Sequence, residues 1–287
     1  MRCVFSVLLL ALAGCQAEAP VRVGAKGFTE QRILAQVLAA RLEQAALQVD
    51  VLECGDTYAC QHALRNGRLD MMVEYTGTGL HFAGAPPGAG DLAQLRALYA
   101  PFGVDWLVPL GFDNTYAVVV RADRAWRRIE DLSVVKGLRI AVPREYLRRP
   151  RDGLNALASR HGLDLVSEPV VVESPGGRYA ALLDGRADAA IGYGTDGAIA
   201  DLGLRVLDDA NNFFPAYDAV VIARKDALKA RPALAKAVQP LAGTLDLRRM
   251  RALNAAVQIE GRDPGVVARR FLVAQKLLDA EIGRAHV

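Results

Sequence analysis

One segment of the sequence occurs twice, and this duplication constrains the fold more than any other feature. Residues 63–79, ALRNGRLDMMVEYTGTG, align with residues 181–197, ALLDGRADAAIGYGTDG, at a constant offset of 118 residues, the separation of Tyr75 from Tyr193. The two segments share alanine, leucine, glycine, arginine, aspartate, tyrosine and a final glycine at the same places. A chain of 287 residues is too long for one comfortable core and short for three domains, so we expect two lobes built on one plan.

Strands and helices alternate along the first half of the chain. An extended apolar start at 21–24 is followed by apolar positions spaced for one helical face from Ile33 to Leu42, with Thr29 placed as the N-cap. The next predicted elements are a strand at 47–53, a helix at 59–65, a strand at 70–75 and, further on, a helix ending at 99 and a strand at 116–120. This alternation indicates an α/β lobe with a largely parallel sheet.

The same order of elements restarts in the second half. Its predicted elements are strands at 138–142, 170–172 and 188–193 and helices at 154–161 and 179–184. Two further extended segments are entered through Tyr116 and Tyr217, and we expect these to be the two strands that cross between the lobes. The predicted division is a signal peptide at 1–14, a first lobe at 21–118 plus 216–287, and a second lobe at 119–215.

The beginning of the chain predicts export. An apolar run at 4–13 follows Arg2, and its length of about ten residues is well short of the roughly 20 that span a bilayer. Leu-Ala-Gly before Cys15 resembles the lipobox of bacterial lipoproteins, in which the cysteine becomes the lipidated first residue. We therefore expect a periplasmic or otherwise extracytoplasmic protein, held at a membrane surface by lipid on Cys15. An ordinary secretory signal with an incidental cysteine is the alternative.

Cys54 and Cys60 remain after the signal segment. In an oxidising compartment such a close pair favours a disulfide that closes a short loop, and two buried free thiols are the alternative. A single pair without a second ligand cluster is a poor zinc site, and the four histidines share no ligand spacing, so we expect no metal and no cofactor. The 35 basic and 32 acidic residues are interspersed, which argues against nucleic acid as a partner.

Four of the eight tyrosines occupy special places in this plan. Tyr75 and Tyr193 end matched strands, whereas Tyr116 and Tyr217 begin the crossing strands. Ligands of open α/β sheets bind at the carboxyl ends of the strands, so the four side chains are predicted to meet in a cleft between the lobes. Their electron-rich faces suit a cation that lacks hydrogen-bond donors, such as a quaternary ammonium. The alternative is that they are residues of the core edge with wetted hydroxyls.

Four stretches resemble the signature segments of the osmoprotectant-binding proteins of ABC importers, a family that takes up glycine betaine, choline, carnitine and related compounds. They are VGAKGFTEQ at 23–31, EYTGTG at 74–79, NTYA at 114–117 and FFPAYD at 213–218. The resemblance covers about residues 21–275. It implies a two-lobed periplasmic-binding-protein fold of a type II-like kind with two crossover strands, which closes around its ligand and delivers it to an ABC permease. We expect a monomer.

The resemblance also assigns roles to individual residues. In that family a cage of tyrosines holds the trimethylammonium head, and all four cage positions match the tyrosines named above. A lysine, a threonine and an arginine bind the ligand carboxylate, and Lys26 and Thr78 match the first two. The arginine belongs to a pattern ending Arg-Pro-Asp-Gly, which is interrupted here by an additional Arg151. Arg149 is the preferred match, with Arg148 and Arg151 as alternatives.

The predicted function is therefore capture of a betaine-type quaternary ammonium compound, without catalysis. An enzyme of the same fold with Cys54 or Cys60 as nucleophile is one alternative, but no histidine lies in a motif that would serve as its base. A cleft for ordinary amino acids is another. Such ligands need carboxylates near the tyrosines, and Glu74 alternates away from Tyr75 along the strand. The tyrosine cage recognises the methylated head group and does not select the rest of the ligand. Glycine betaine, proline betaine, carnitine, choline and ergothioneine therefore all remain candidates.

Overall fold

The computed structural model describes residues 19–85 and 91–279. The predicted signal peptide at 1–14 and the predicted lipidation site Cys15 lie outside the described residues. Within the described ranges, ten strands form two five-stranded sheets, and helices pack against both. None of the helices in these ranges combines the length and the apolar character needed to cross a membrane.

The first sheet is built from both ends of the described chain. Its strands are β1 (Val21–Lys26), β2 (Val49–Gly55), β3 (Met71–Tyr75), β4 (Val104–Asp113) and β10 (Asp218–Arg224). They lie in the order β2-β1-β3-β10-β4, with β1 to β3 parallel and β10 antiparallel to both of its neighbours. The helices of this lobe are α1 (Thr29–Gln44), α2 (Thr57–Arg65), α3 (Thr76–Phe82), α4 (Leu92–Tyr99), α9 (Lys225–Ala230), α10 (Ala233–Val238), α11 (Leu247–Gln258) and α12 (Pro264–Ala274).

The second sheet uses the middle of the chain and repeats the first. Its strands are β5 (Tyr116–Arg121), β6 (Ile140–Val142), β7 (Val170–Val171), β8 (Ala189–Tyr193) and β9 (Leu204–Val206), and its helices are α5 (Arg144–Leu147), α6 (Leu154–His161), α7 (Pro175–Leu183) and α8 (Ala198–Asp201). The order is β7-β6-β8-β5-β9, again three parallel strands followed by an antiparallel one. The predicted two-lobed α/β fold is confirmed, and the duplicated segment corresponds to helix α2 with β3 in one lobe and α7 with β8 in the other.

An ion pair explains why the duplicated segment keeps its aspartate. The Asp70 carboxylate accepts hydrogen bonds from the backbone nitrogen, Nε and Nη2 of Arg22, at 2.9, 3.1 and 2.7 Å. Asp188 accepts the same three from Arg139, at 3.1, 3.1 and 2.9 Å. Burial alone would raise the pKa of each aspartate, but these hydrogen bonds outweigh it and lower the pKa. Each lobe therefore ties the starts of two neighbouring parallel strands, β1 to β3 in the first lobe and β6 to β8 in the second.

Both faces of each sheet are covered by apolar layers, as expected for strands with continuous hydrophobic runs. Along β3, Met71 and Val73 face the layer that contains α1, whereas Met72 faces the layer that contains Trp106 and Tyr99. Tyr75 faces the same layer as Met71 and Val73, so it lies on the α1 side of the sheet at its edge. The strand thus delivers its last side chain next to the start of α1.

The structure differs from the sequence-based division at the first crossing. Strand β5 pairs wholly within the second sheet, where Tyr116 lies opposite Tyr193. The first crossing is therefore at residues 114–115 and not near residue 119, because the tyrosine that enters the strand already belongs to the second lobe. The return to the first sheet lies between Val206 and Asp218, which includes the predicted position near 216.

Three local features also differ from the sequence analysis. Neither strand β4, at the edge of the first sheet, nor the helix α3, which begins with the glycine-rich residues 76–79, is among the predicted elements. The residue before α1 is Phe28, without a side-chain cap, so Thr29 is not the N-cap. By contrast, Cys54 and Cys60 form the expected disulfide, with their Cα atoms 4.9 Å apart.

Candidate ligand-binding cleft

A cleft of about 980 Å³ lies between the two lobes. Every residue that the sequence analysis predicts as a ligand contact lines it. These residues are Lys26, Tyr75, Thr78, Tyr116, Arg149, Tyr193 and Tyr217. The two alternative arginines, Arg148 and Arg151, line it as well. The structure therefore brings the predicted set together from both lobes and the second crossing. Tyr75 and Tyr116 also belong to the edges of the hydrophobic cores of their lobes.

Two of the four tyrosines form a pair on the second lobe. Tyr116 and Tyr193 are cross-strand neighbours on β5 and β8, and their rings stack with centroids 5.1 Å apart and an interplanar angle of 26°. The buried ring of Tyr146 packs against Tyr116 at 5.3 Å. Asp196 fixes the end of β8, because its Oδ2 accepts the backbone N–H of Tyr193 at 3.0 Å.

Tyr217 is positioned by the second crossing and by a glycine of α3. Its backbone nitrogen donates to Oδ1 of Asp113 at 2.8 Å, which ties it to the end of β4. A Cβ added at Gly77 would lie 2.8 Å from Cε1 of Tyr217 and 2.9 Å from the carbonyl oxygen of Ala216. Gly77 is therefore the residue that lets the tyrosine ring lie against α3.

Two of the tyrosine hydroxyls donate hydrogen bonds to glutamate carboxylates. The hydroxyl of Tyr75 donates to Oε1 of Glu30 at 2.6 Å, and the hydroxyl of Tyr116 donates to Oε1 of Glu145 at 2.8 Å. Each glutamate lies in the first turn of the first helix of its lobe, but Glu30 is buried and Glu145 is exposed. Burial raises the pKa of Glu30, and hydrogen bonds from Tyr75 and Asn254 oppose this shift only in part.

These glutamates correct one step of the sequence analysis. Amino acid ligands need carboxylates near the tyrosines, and the expectation that none lies there is wrong, because Glu30 and Glu145 do. Glu30 is buried and both of its oxygens already accept a hydrogen bond, whereas Glu145 is exposed in the cleft and accepts only through Oε1.

Lys26 forms a buried ion pair with Glu74. Its Nζ donates to Oε1 of Glu74, and the two side chains are only 2% and 0% exposed. Glu74 also accepts from Nε2 of Gln61 at 2.7 Å and from the backbone nitrogen of Tyr75 at 2.9 Å. Lys26 Nζ lies 5.1 Å from the centroid of the Tyr75 ring. A ligand carboxylate that contacted Lys26 would therefore share it with Glu74.

Arg149 occupies the opposite wall, next to the stacked tyrosines. Its guanidinium makes a two-point ion pair with Asp152, and its Cζ lies 4.9 Å from the centroid of the Tyr116 ring. Burial alone would lower the pKa of Arg149, but Asp152 outweighs it and the pKa is raised, so the side chain stays charged. Gly153 allows this turn, because an added Cβ would lie 2.4 Å from the carbonyl oxygens of both Arg149 and Tyr146.

A polar network links the lobes beneath the tyrosines. Nδ2 of Asn254 on α11 donates to Oε2 of Glu30 at 3.0 Å and to the carbonyl oxygen of Thr195 at 2.9 Å. Oγ1 of Thr195 in turn donates to Oδ1 of Asn114 at 2.8 Å. The first lobe, the first crossing and the loop after β8 are therefore joined by adjacent hydrogen bonds.

The sequence analysis does not identify several of these residues. Glu30 and Asn114 lie inside stretches that carry the family resemblance, so their position was a usable signal. Glu145 lies in a short basic cluster and Asn254 in an ordinary amphipathic helix. Nothing local distinguishes those two from surface residues, because their roles depend on partners far away in the sequence.

Two α/β lobes with a ligand-sized cleft between them, lined by aromatic and charged groups from both, are the architecture of two-lobed substrate-binding proteins. Residues 19–274 match the OpuAC family, described as the substrate binding domain of ABC-type glycine betaine transport systems. The chain belongs to this family. It is thus a substrate-binding protein of an ABC transport system and not an enzyme.

Individual relatives match this chain over nearly its whole length. The chain is 32% identical to a glycine-betaine-binding protein of Pseudomonas aeruginosa, over 96% of this chain and 94% of that protein. It is 30% identical to the carnitine transport binding protein OpuCC of Listeria monocytogenes, over 94% of each. A solved structure of a glycine betaine/carnitine/choline ABC transporter protein superposes with a TM-score of 0.83 at 27% identity, covering 90% of this chain and all of that one.

Proposed function

We propose that this protein captures a betaine-type quaternary ammonium compound between its lobes and delivers it to the permease of an ABC importer. Four tyrosines that come from both lobes and the second crossing and line one cleft carry this proposal. The faces of Tyr75, Tyr116, Tyr193 and Tyr217 would surround the methylated nitrogen. A cation–π contact contributes about 0.5–2 kcal/mol, so four faces supply a large part of the roughly 8 kcal/mol needed for micromolar binding.

The other pole of the ligand would meet the charged wall. Arg149 stays ionised and presents a planar guanidinium beside Tyr116. Thr78 lies on the same cleft wall as Tyr217, one residue after Gly77. Because Lys26 is already paired with Glu74, we assign the main carboxylate contact to Arg149 and a shared contact to Lys26. This charged end favours betaines over choline.

The proposal includes an extracytoplasmic location and a lipid on Cys15. Two features support it, the apolar run at 4–13 followed by a lipobox-like sequence and the disulfide between Cys54 and Cys60. Such bonds persist in oxidising compartments. We propose that the protein works as a monomer tethered at a membrane surface, where its partner permease lies.

Thermal-shift and calorimetric titration of the purified protein test the proposal. The panel is glycine betaine, proline betaine, carnitine, choline and ergothioneine, with unmethylated glycine and proline as controls. At least one methylated compound should raise the melting temperature, since a ligand at 100 times its Kd stabilises by about 2.7 kcal/mol. Tyr75→Ala and Tyr193→Ala should each abolish the shift. A panel without any shift, or an equal response to glycine and glycine betaine, would contradict the proposal.

A further inference from the structure

Glu30 is a buried carboxyl group that has no ion-pair partner among the residues that the structure describes. Its side chain is buried, with the residue 3% exposed, and it lines the cleft behind Tyr75. Its two oxygens accept from the Tyr75 hydroxyl at 2.6 Å and from Nδ2 of Asn254 at 3.0 Å. Both donors are neutral groups. An isolated buried carboxylate costs several kcal/mol unless a cation compensates it.

Two buried or half-buried cations of the cleft are already paired with other carboxylates. Lys26 forms its ion pair with Glu74, and Arg149 forms its own with Asp152. Each of these pairs is neutral as a unit and leaves no net charge for a third carboxylate. Among the residues that the structure describes, no ion pair includes Glu30.

Asp196, a half-buried carboxylate of the same cleft, has a different environment. Burial raises its pKa, and hydrogen bonds from Tyr179 and the Tyr193 backbone, together with the positive charges of Arg178 and Arg251, oppose this rise in part. For Glu30 the charged neighbour that contributes to the pKa is Asp196, which has the same sign and raises it further. Asp196 thus has cationic neighbours, whereas Glu30 has an anionic one.

We propose that Glu30 is the counter-charge of the tyrosine cage and makes the cleft select a cationic head group over an uncharged one of the same shape. It acts through Tyr75, whose hydroxyl lies between the carboxylate and the ring, so it is a positioning and specificity-determining residue that does not touch the ligand. A hydroxyl that donates to a carboxylate is polarised, which makes its ring more electron-rich. The carboxylate also attracts the cation directly through a poorly screened interior. This inference rests on the proposed function.

Glu145 provides a matched control within the same molecule. It accepts the hydroxyl of another cage tyrosine, Tyr116, at 2.8 Å, from the same position in the first helix of the other lobe. Glu145 is exposed, however, so solvent screens its charge. The two glutamates share their hydrogen-bonding role and differ in burial, and only the buried one should affect the selection of charge.

Glu30→Gln is expected to fold. The glutamine oxygen can accept from Nδ2 of Asn254, which keeps its hydrogen bond to the carbonyl oxygen of Thr195, and the new amide group can donate to the hydroxyl oxygen of Tyr75. Because the substitution removes a buried carboxyl group that has no ion-pair partner, the ligand-free melting temperature should stay at or above that of the wild type.

The experiment compares two probes by calorimetry. One is glycine betaine, and the other is tert-butylacetate, in which carbon replaces the ammonium nitrogen while shape and carboxylate are kept. The ratio of their affinities should fall about tenfold or more in Glu30→Gln, because glycine betaine binds more weakly and tert-butylacetate does not. Glu30→Asp, which keeps the charge, should retain most of the wild-type ratio. Glu145→Gln should change it by less than about threefold.

Each contrary result has a distinct meaning. An unchanged ratio in Glu30→Gln, an equal loss for both probes, or an equal change in Glu145→Gln overturns the inference while wild-type binding of glycine betaine leaves the proposed function intact. A large fall in the ligand-free melting temperature of Glu30→Gln assigns the residue to the fold and also overturns it. Failure of the wild type to bind any methylated amine removes the proposed function, and the inference with it.

Discussion

Gly77→Ala separates the stability of helix α3 from the position of the Tyr217 ring, which the proposed function places against the ligand. The residue lies in the first turn of the helix, where alanine raises helix propensity by up to about 1 kcal/mol. The new Cβ, however, would lie 2.8 Å and 2.9 Å from Cε1 and Cζ of Tyr217, whereas ordinary contacts are 3.4–4 Å. The ring must move by at least several tenths of an ångström, and the carbonyl of Ala216 at 2.9 Å resists a shift of the helix instead.

The expected result is weaker ligand binding without a matching loss of stability. Losing one aromatic face costs about 0.5–2 kcal/mol, which is roughly a 2- to 30-fold rise in Kd. Overpacking costs about 1–3 kcal/mol where the neighbours cannot yield, but the ring of Tyr217 faces the cleft and can swing into it, so the loss of stability should be near the lower end. Calorimetry with the bound betaine measures the first quantity and urea unfolding the second.

Two controls decide whether the mechanism is right. Gly176 lies in the first turn of α7 and has no atom within 4 Å of an added Cβ, so Gly176→Ala should leave the Kd unchanged. In a double-mutant cycle, Gly77→Ala should have little further effect in a Tyr217→Ala background. Full additivity of the two substitutions, or an unchanged Kd for Gly77→Ala, would refute the reasoning.

Three further predictions concern charge and cross-linking. Burial raises the pKa of Asp113 from 3.8 to about 6, so the folded protein holds a proton that the unfolded chain has released, and stability should fall as pH rises from about 4 to about 6. Asp113→Asn keeps an oxygen for the backbone of the second crossing and should abolish this slope in urea titrations across that range; an unchanged slope would be the contrary result. Lys26→Met leaves Glu74 buried without its cation and should destabilise by about 3–5 kcal/mol in urea unfolding, with most of the loss recovered by adding Glu74→Gln. Replacing Cys54 and Cys60 by serine should cost about 2 kcal/mol, the loop-entropy value for so short a loop, and reductant should shift the unfolding midpoint of the wild type but not of the variant.

The parts of the fold that follow from sequence are those with a strong local pattern. Strands β3, β5, β8 and β10 have apolar runs that fit buried strands, and the tyrosines at their ends converge because strand ends meet at one edge of a sheet. Helix α6 begins and ends at the predicted residues, 154 and 161. The disulfide could be predicted from the close spacing of the two cysteines and from the expected oxidising compartment.

Strand β4 was missed although its sequence carries a period-two signal. Trp106, Val108, Leu110 and Phe112 are buried, while the residues between them are more exposed. Pro109 and Gly111 within this run are usually taken as loop residues. Proline is tolerated here because β4 lies at the edge of its sheet, where one row of N–H groups needs no partner.

The charges of the cleft could not be predicted locally. Lys26 and Glu74 are 48 residues apart, and Asn254 is 224 residues from Glu30. Their partners are fixed by the order of strands in the sheet and by the packing of the last helices against α1. Neither can be predicted from a short segment of the sequence. The resemblance gave Lys26 a ligand contact, whereas its buried pairing with Glu74 depends on a neighbouring strand.

The stacked pair of Tyr116 and Tyr193 has a consequence for the order of events in the cleft. Both rings stand on adjacent strands of one rigid sheet, so their mutual geometry is settled when the protein folds. Under the proposed function, half of the aromatic enclosure is thus preorganised on a single lobe, and the entropy of arranging it has been lost before the ligand arrives. An arriving molecule would dock first on this prepared wall, and the opposite lobe would then complete the enclosure.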